Sequence, residues 1–248
     1  MKNKVTYLDE TVGALEGTSI HPYGAVTRFE AGHPAWYFYG YKYKGIDPSN
    51  GEVLVEDLDG DGMVGDGDLT DIGCGIPKFT YGLTFTANYK NFDLLVFASG
   101  ALGQKTYMWY DYTAYNYNKL KYYTDDRWTP SNTKGTRPVA GASSYRQFLQ
   151  SDQSVMNSDY LKIKQIQIGY TIPRNVLSKI KLQSVRAYVS LDDFFVFTKY
   201  PGYDPEIVGT SSTLNARQGT TTVTSGLGVD QGTYPSTRKV VFGLNVSF

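Results

Sequence analysis

The sequence has little of the chemistry on which enzymes and small secreted domains depend. It contains one cysteine, Cys74, which excludes an intramolecular disulfide. Its two histidines, His21 and His33, lie far from each other and from any plausible nucleophile, so no hydrolytic triad can be assembled. Charged residues make up 19% of the chain and the formal net charge is +0. This balance gives no reason to expect a nucleic-acid partner.

Long apolar runs are missing as well. No stretch reaches the roughly 18 apolar residues of a transmembrane helix. This does not exclude a membrane β-barrel, because its strands alternate and their hydropathy averages out. The first residues also lack the apolar segment of a signal peptide. We therefore expect this sequence to be a piece of a longer protein.

What the sequence does have is alternation, most clearly at its end. One face of a strand over 238–248 would carry only apolar side chains, namely Val240, Phe242, Leu244, Val246 and Phe248. Gly243, Asn245 and Ser247 would lie on the other face. Such a strand is typical of the closing strand of an outer-membrane β-barrel, apolar outward and polar inward. The last strand of a soluble sandwich can alternate in the same way.

Similar patterns predict the other strands, near 35–46, 79–89, 91–108, 159–172 and 184–198. The connections over 89–91 and 173–183 are short, whereas those over 47–77, 109–158 and 199–237 are long. Short periplasmic turns that alternate with long extracellular loops are typical of such barrels. The predicted fold is all-β: an antiparallel up-and-down meander from a large transmembrane β-barrel, with long extracellular loops.

One strand carries an irregularity at Asp192-Asp193. Its apolar face changes there from Val189 and Leu191 to Phe194 and Val196, which predicts a β-bulge. A buried acid pair could also be catalytic, which would suit a glycan-processing enzyme. The bulge, or a pair facing the barrel lumen, is the simpler interpretation.

An acidic segment matches the calcium-loop pattern D-x-D-x-D-G. The predicted ligands are the carboxylates of Asp57, Asp59, Asp61 and Asp68 and the carbonyl of Met63. Ca²⁺ needs about six to eight oxygens, and closely spaced carboxylates repel one another unless a cation lies between them. Val64 would fill the apolar position that anchors such loops. A solvated acidic turn is the alternative, since Asp-Gly favours turns.

Aromatic residues crowd one of the long connections. Trp109, Tyr112 and Trp128 could stack on a sugar or hold a peptide, and Tyr203 and Asp204 are further candidates for ligand or partner contacts. The alternative is that these rings only pack against one another. A secreted, calcium-stiffened β-sandwich for binding or adhesion is the second interpretation of the whole sequence.

Several motifs, in this order, resemble the SusC/RagA-type TonB-dependent outer-membrane transporters. They are the segments 30–34, 37–42, 45–46, 57–62, 71–73, 77–82, 89–94, 126–130, 159–163, 169–173, 197–206, 228–230 and 234–235, and the closing strand. The resemblance covers nearly the whole chain and places it in the C-terminal part of the barrel. Asp192-Asp193 departs from it, because an Asn-Leu-like pair is common there.

The resemblance implies a barrel of about 22 strands with a plugged lumen, in the outer membrane. It implies energy-coupled import of a glycan or peptide, a surface lipoprotein partner of the SusD type, and no catalysis. Plug domain and signal peptide are not contained in these residues. We expect contact with the TonB complex through an N-terminal part that this sequence lacks.

Overall fold

The computed structural model describes residues 3–20, 24–110, 120–178, 182–206, 227–232 and 234–248. The strands are β1 (Ala14–Glu16), β2 (Ser19–Ile20), β3 (Gly24–Ala25), β4 (Thr27–Glu30), β5 (Tyr37–Gly40), β6 (Tyr43–Ile46), β7 (Val53–Val55), β8 (Thr70–Cys74), β9 (Phe79–Tyr89), β10 (Phe92–Leu102), β11 (Lys105–Met108), β12 (Val155–Asn157), β13 (Tyr160–Thr171), β14 (Ser184–Thr198), β15 (Val229–Asp230) and β16 (Lys239–Ser247). The helices are short: α1 (Lys121–Thr124), α2 (Tyr145–Leu149) and α3 (Arg174–Leu177). In these ranges no helix has the length and hydropathy needed to cross a membrane.

The chain divides into two compact units. The first, here called the loop unit, comprises Met1–Lys78, Gln104–Ser158 and Tyr200–Thr233. The second, here called the sheet unit, comprises Phe79–Gly103, Asp159–Lys199 and Tyr234–Phe248. The chain therefore passes repeatedly from one unit to the other.

The sheet unit is a five-stranded antiparallel meander in the order β16-β14-β13-β10-β9. Strand register pairs Tyr89 with Phe92, Phe92 with Tyr170 and Tyr170 with Ala187, so the turn at 90–91, the end of β13 and the start of β14 lie at one end of this sheet. The two longer connections leave from the opposite end. The predicted all-β, up-and-down architecture is confirmed.

Strand register brings the apolar residues together on one face of this sheet. Phe85, Val96, Ile166, Leu191 and Val240 are directly paired across all five strands. The same face carries exposed side chains from every strand, among them Leu83 (66% exposed), Phe92, Ile168, Phe197 and Phe242 (80% exposed). The opposite face carries a row formed by Thr84, Phe97, Gln165, Asp192 and Lys239. The sheet is thus apolar and exposed on one side and mostly polar on the other.

The predicted bulge at Asp192-Asp193 is confirmed. The β13–β14 register shifts between Ile163 and Gln165, and Asp193 has a φ of 58°. The two acids point to different partners: Ser190 donates its hydroxyl to Asp192 at 2.6 Å, whereas Lys162 Nζ lies 3.4 Å from Asp193. Their carboxylates are therefore engaged separately, as structural groups of the bulge.

The loop unit is built from small sheets around its own core. Its strands form the sheets β1-β4-β5-β8, β12-β11-β15, β2-β3 and β6-β7. Buried side chains from all three of its segments form one cluster: Ile20, Val26, Phe38, Val53, Ile72, Tyr107, Met108, Trp109, Tyr123, Phe148, Leu149 and Val229. Shared burial of these side chains holds the three segments together.

This arrangement corrects three expectations. The strand predicted near 35–46 is two short strands, β5 and β6, which belong to the loop unit and not to the large sheet. The strand predicted over 91–108 ends at Leu102, and β11 then pairs with β12 and β15. The long connections also contain strands and helices and bury apolar side chains, so their described parts form a folded unit.

Candidate functional site

The acidic loop brings three of the predicted metal ligands together. Asp57, Asp59 and Asp61 each offer a carboxylate oxygen, and these oxygens lie within 4.8 Å of one another. Ca²⁺ binds oxygens at about 2.3–2.6 Å, so its ligands lie at most about 5 Å apart. The spacing of the three exposed carboxylates is therefore compatible with one such cation.

Backbone N–H groups already orient these side chains. Gly60 and Gly62 donate to the two oxygens of Asp57, at 2.7 and 3.0 Å, and Met63 donates to Asp61 at 2.7 Å. Each bond leaves lone pairs on the carboxylate free for a cation, since an ionised carboxylate offers about four acceptor positions. The loop is thus preorganised by its own main chain.

Asp68 has a different role from its three neighbours. It is fully buried, and its two oxygens accept N–H groups from Leu58 at 2.7 Å and Gly65 at 2.9 Å. These bonds hold the pKa of Asp68 below its usual value. Asp68 closes the ends of the loop and does not belong to the carboxylate cluster. Val64 is 53% exposed, so the expectation that it anchors the loop in an apolar position is wrong.

The predicted ligand contacts are mostly packing residues. Trp109 is 2% exposed and lies in the core of the loop unit, and Trp128 is 8% exposed and donates its indole N–H to the Pro48 carbonyl at 3.2 Å. Asp204 is also buried, and its Oδ1 accepts a hydrogen bond from the Glu206 N–H at 3.0 Å. Tyr203 alone of the described candidates is exposed. Tyr112 lies outside the described residues.

Sequence reasoning missed a buried carboxylate that joins two of the long connections. Asp230, 1% exposed, accepts hydroxyl hydrogen bonds from Tyr200 at 2.7 Å and from Tyr110, and its second oxygen accepts the Gly232 N–H at 3.0 Å. Burial and the nearby Asp230 raise the pKa of both tyrosines, which stay neutral donors. The sequence marked Asp230 only as part of the Gly-Val-Asp motif at 228–230, and this motif did not indicate that two tyrosines bind the carboxylate.

A second missed group lies on the polar face of the large sheet. Arg186 donates from Nε to Asp93 Oδ1 at 2.8 Å and from Nη2 to Asp93 Oδ2 at 2.5 Å. The pair spans three strands and passes over Gly169, where an added Cβ would lie 2.4 Å from Asp93. Alternation places both charges on one face, but nothing in the sequence pairs them.

Known proteins resemble this chain along nearly its whole length. TonB-dependent receptor P3 of Formosa agariphila is 32% identical over 235 residues, which is 85% of this chain. TonB-dependent receptor SusC of Bacteroides thetaiotaomicron is 26% identical over 216 residues, or 84% of this chain. The chain spans only 22% and 19% of these two relatives. No family model matches the sequence.

Solved structures share the fold. The RagAB peptide transporter matches 99% of this chain with a TM-score of 0.74 and 21% identity, and the match covers 25% of that protein's chain. The open-open state of the RagAB peptide importer gives a TM-score of 0.73 at 22% identity. The motif order, the meander with its exposed apolar face and these matches agree. The chain belongs to the SusC/RagA-type TonB-dependent receptors, as part of their β-barrel.

Proposed function

We propose that this chain forms part of the wall of an outer-membrane receptor that imports a glycan or a peptide together with a SusD-type lipoprotein. The observation that carries this proposal is the exposed apolar face of the five-stranded sheet, which is in register across every strand. An exposed patch of this kind marks a surface that meets lipid or another apolar partner. Lipid contact also explains why the opposite face is polar, because it would border the barrel lumen.

The alternative of a secreted sandwich is less consistent with this sheet. A sandwich buries its apolar face against a second sheet at a distance of about 10 Å. Here the side chains of that face remain open, with Phe242 at 80% and Phe248 at 87% exposure. The acidic loop does not favour a sandwich either. It belongs to the loop unit, whereas the choice between barrel and sandwich concerns the sheet unit.

Membrane fractionation tests the location. We expect the protein in the outer-membrane fraction, extracted only by detergent, and we expect heating to shift its mobility on a gel as barrel strands unfold. A protein that stays in the aqueous fraction without detergent would contradict the proposal and favour the secreted module.

Uptake assays test the activity and its substrate class. Cells that lack the gene should lose uptake of labelled oligosaccharides or of labelled peptides, and the class that is lost identifies the substrate. Purification of the tagged receptor in detergent should also recover a surface lipoprotein. Unchanged uptake of both classes would argue against import, and purification without a lipoprotein would argue against the partner.

We further propose that Asp57, Asp59 and Asp61 bind Ca²⁺ and stiffen the loop unit. The support is the carboxylate spacing and the backbone N–H groups that orient the three side chains, among them the Asp61 N–H, which donates to Asp59 at 3.2 Å. Calorimetric titration with Ca²⁺ should give a binding heat that Asp59→Ala removes. Asp66→Ala is the matched control, because this acid lies in the same loop outside the cluster. Equal heats for wild type and Asp59→Ala would exclude the site.

A further inference from the structure

A groove in the loop unit has no role in the function proposed above. It has a volume of about 630 Å³, within the range of small-molecule sites. One side is lined by Tyr43 and Ile46 of β6 and by Pro48. The other side is the segment 133–137, with Lys134 and Arg137, and Gln153 completes the lining.

Arg137 is held rigidly beside this groove. Its Nε donates to the Tyr122 carbonyl at 3.0 Å and its Nη1 to the Thr136 carbonyl at 3.3 Å. Its guanidinium lies 4.5 Å from the Tyr122 ring centre and 5.6 Å from that of Phe148. None of these bonds uses Nη2. A guanidinium fixed in this way keeps a donor available with little further loss of side-chain entropy.

Other donors along the groove are also uncommitted. Lys134 is exposed and forms no hydrogen bond or ion pair with any residue that the structure describes, and the side-chain amide of Gln153 likewise has no partner there. Among the residues that the structure describes, no carboxylate lines the groove. Asp126 and Asp152 lie near the groove without lining it; they accept backbone N–H groups from Thr136 at 3.1 Å and Tyr43 at 3.3 Å, and Asp126 interacts electrostatically with Arg137.

We propose that this groove binds a short ligand through a carboxylate, with Arg137 and Lys134 as the charged contacts. An anion suits the two cations of the lining, which has no acid among its described residues, and the planar guanidinium matches the geometry of a carboxylate. Tyr43, Ile46 and Pro48 would contact the less polar part of the ligand. Acidic peptides and uronic-acid oligosaccharides both carry such a carboxylate, and the two probes below distinguish them. Direct binding tests this proposal whether or not the receptor imports the ligand.

Calorimetry on the full chain in detergent tests the site. The probes are a tetraglutamate peptide and a uronic-acid tetrasaccharide, each with an uncharged counterpart of equal length. We expect one or both acidic probes to bind, their uncharged counterparts not to bind, and added salt to weaken the binding because screening reduces the attraction. The probe that binds identifies the source of the carboxylate.

Lys134→Glu locates the binding. Arg137 also supports the fold, so its substitution would disturb the structure as well as binding. The exposed Lys134 is therefore the residue to substitute. We expect the reversal to weaken binding by about tenfold, since it places like charges together. Lys44→Glu is the matched control, because this lysine is exposed on β6 but does not line the groove. Failure of both acidic probes to bind, or equal affinity in wild type and Lys134→Glu, would overturn the proposal.

Discussion

At the residue scale, Asp230 shows how the loop unit tolerates a buried charge. A buried carboxylate is costly unless it is hydrogen-bonded, and Asp230 accepts from two tyrosine hydroxyls and one backbone N–H. Tyr110 and Tyr200 come from different segments of the chain. The carboxylate therefore links segments that are 120 and 30 residues distant in sequence.

Asp230→Asn should destabilise the loop unit by about 1–3 kcal/mol. The amide has one acceptor oxygen, so it cannot accept from the tyrosine pair and from Gly232 at the same time. Urea unfolding followed by tryptophan fluorescence measures this effect, because Trp36, Trp109 and Trp128 all lie in the loop unit. Tyr203→Phe, at an exposed ring, should leave the midpoint unchanged. A wild-type midpoint for Asp230→Asn would show that the tyrosines do not depend on the charge.

Gly169 has a comparable role in the sheet unit, where it leaves room for the Asp93–Arg186 pair. Gly169→Ala should cost about 0.5–1 kcal/mol, because the new Cβ would displace the charged ends of both side chains and break their part-exposed ion pair. Gly82→Ala is the control: it lies on the same polar face, and its Cβ would meet no atom closer than 3.8 Å. Loss of the far-UV circular dichroism signal on heating in detergent measures both. Equal stability of the two variants would contradict this account, and Asp93→Ala should relieve the cost of Gly169→Ala.

Residue roles could be predicted only where a pattern fixes them. The bulge at Asp193 was predictable, because a strand that changes its apolar face must gain or lose a residue. The burial of Trp109 and Trp128 was not, since aromatic side chains suit cores and binding surfaces equally well. Asp68 shows the same limit: its place in a ligand pattern did not reveal that two backbone N–H groups occupy its oxygens.

At the scale of elements, strand length decided what the sequence could predict. Strands β9, β13, β14 and β16 have 9 to 15 residues, so alternation located each of them to within about two residues. Strands of the loop unit have 2 to 5 residues, too few for a period to be recognised. That is why the segment near 35–46 was predicted as one barrel strand and why the long connections were predicted as loops.

The two faces of β9 should respond differently to the same charge. Leu83 and Thr84 are neighbours near the middle of this strand, on the apolar and the polar face. Leu83→Arg should lower the stability of the membrane-inserted protein by about 2–4 kcal/mol, because it places a charge in the hydrocarbon region. Thr84→Arg should have little effect, because its side chain would point into water. Flotation with lipid vesicles measures the fraction of bound protein. Equal flotation of the two variants would mean that the apolar face does not contact lipid.

At the scale of the whole molecule, the two units are stabilised by different means. The loop unit has a core of buried apolar side chains drawn from three segments. The sheet unit leaves one apolar face exposed, and β9 and β16 form its edges. Exposed strand edges and apolar faces favour aggregation in water unless lipid, detergent or neighbouring strands cover them.

Removal of detergent should therefore affect the two units unequally. We expect the sheet unit to aggregate or lose its structure, because its apolar face would meet water, while the loop unit keeps its tryptophans buried. Dilution below the critical micelle concentration, followed by limited proteolysis and by tryptophan emission, separates the two responses: cleavage should begin within 79–103, 159–199 and 234–248, with an unshifted emission maximum. If the emission maximum shifts at the same time as proteolysis begins, the loop unit depends on the sheet. If the protein resists proteolysis and keeps its emission maximum in detergent-free buffer, the apolar face needs no lipid.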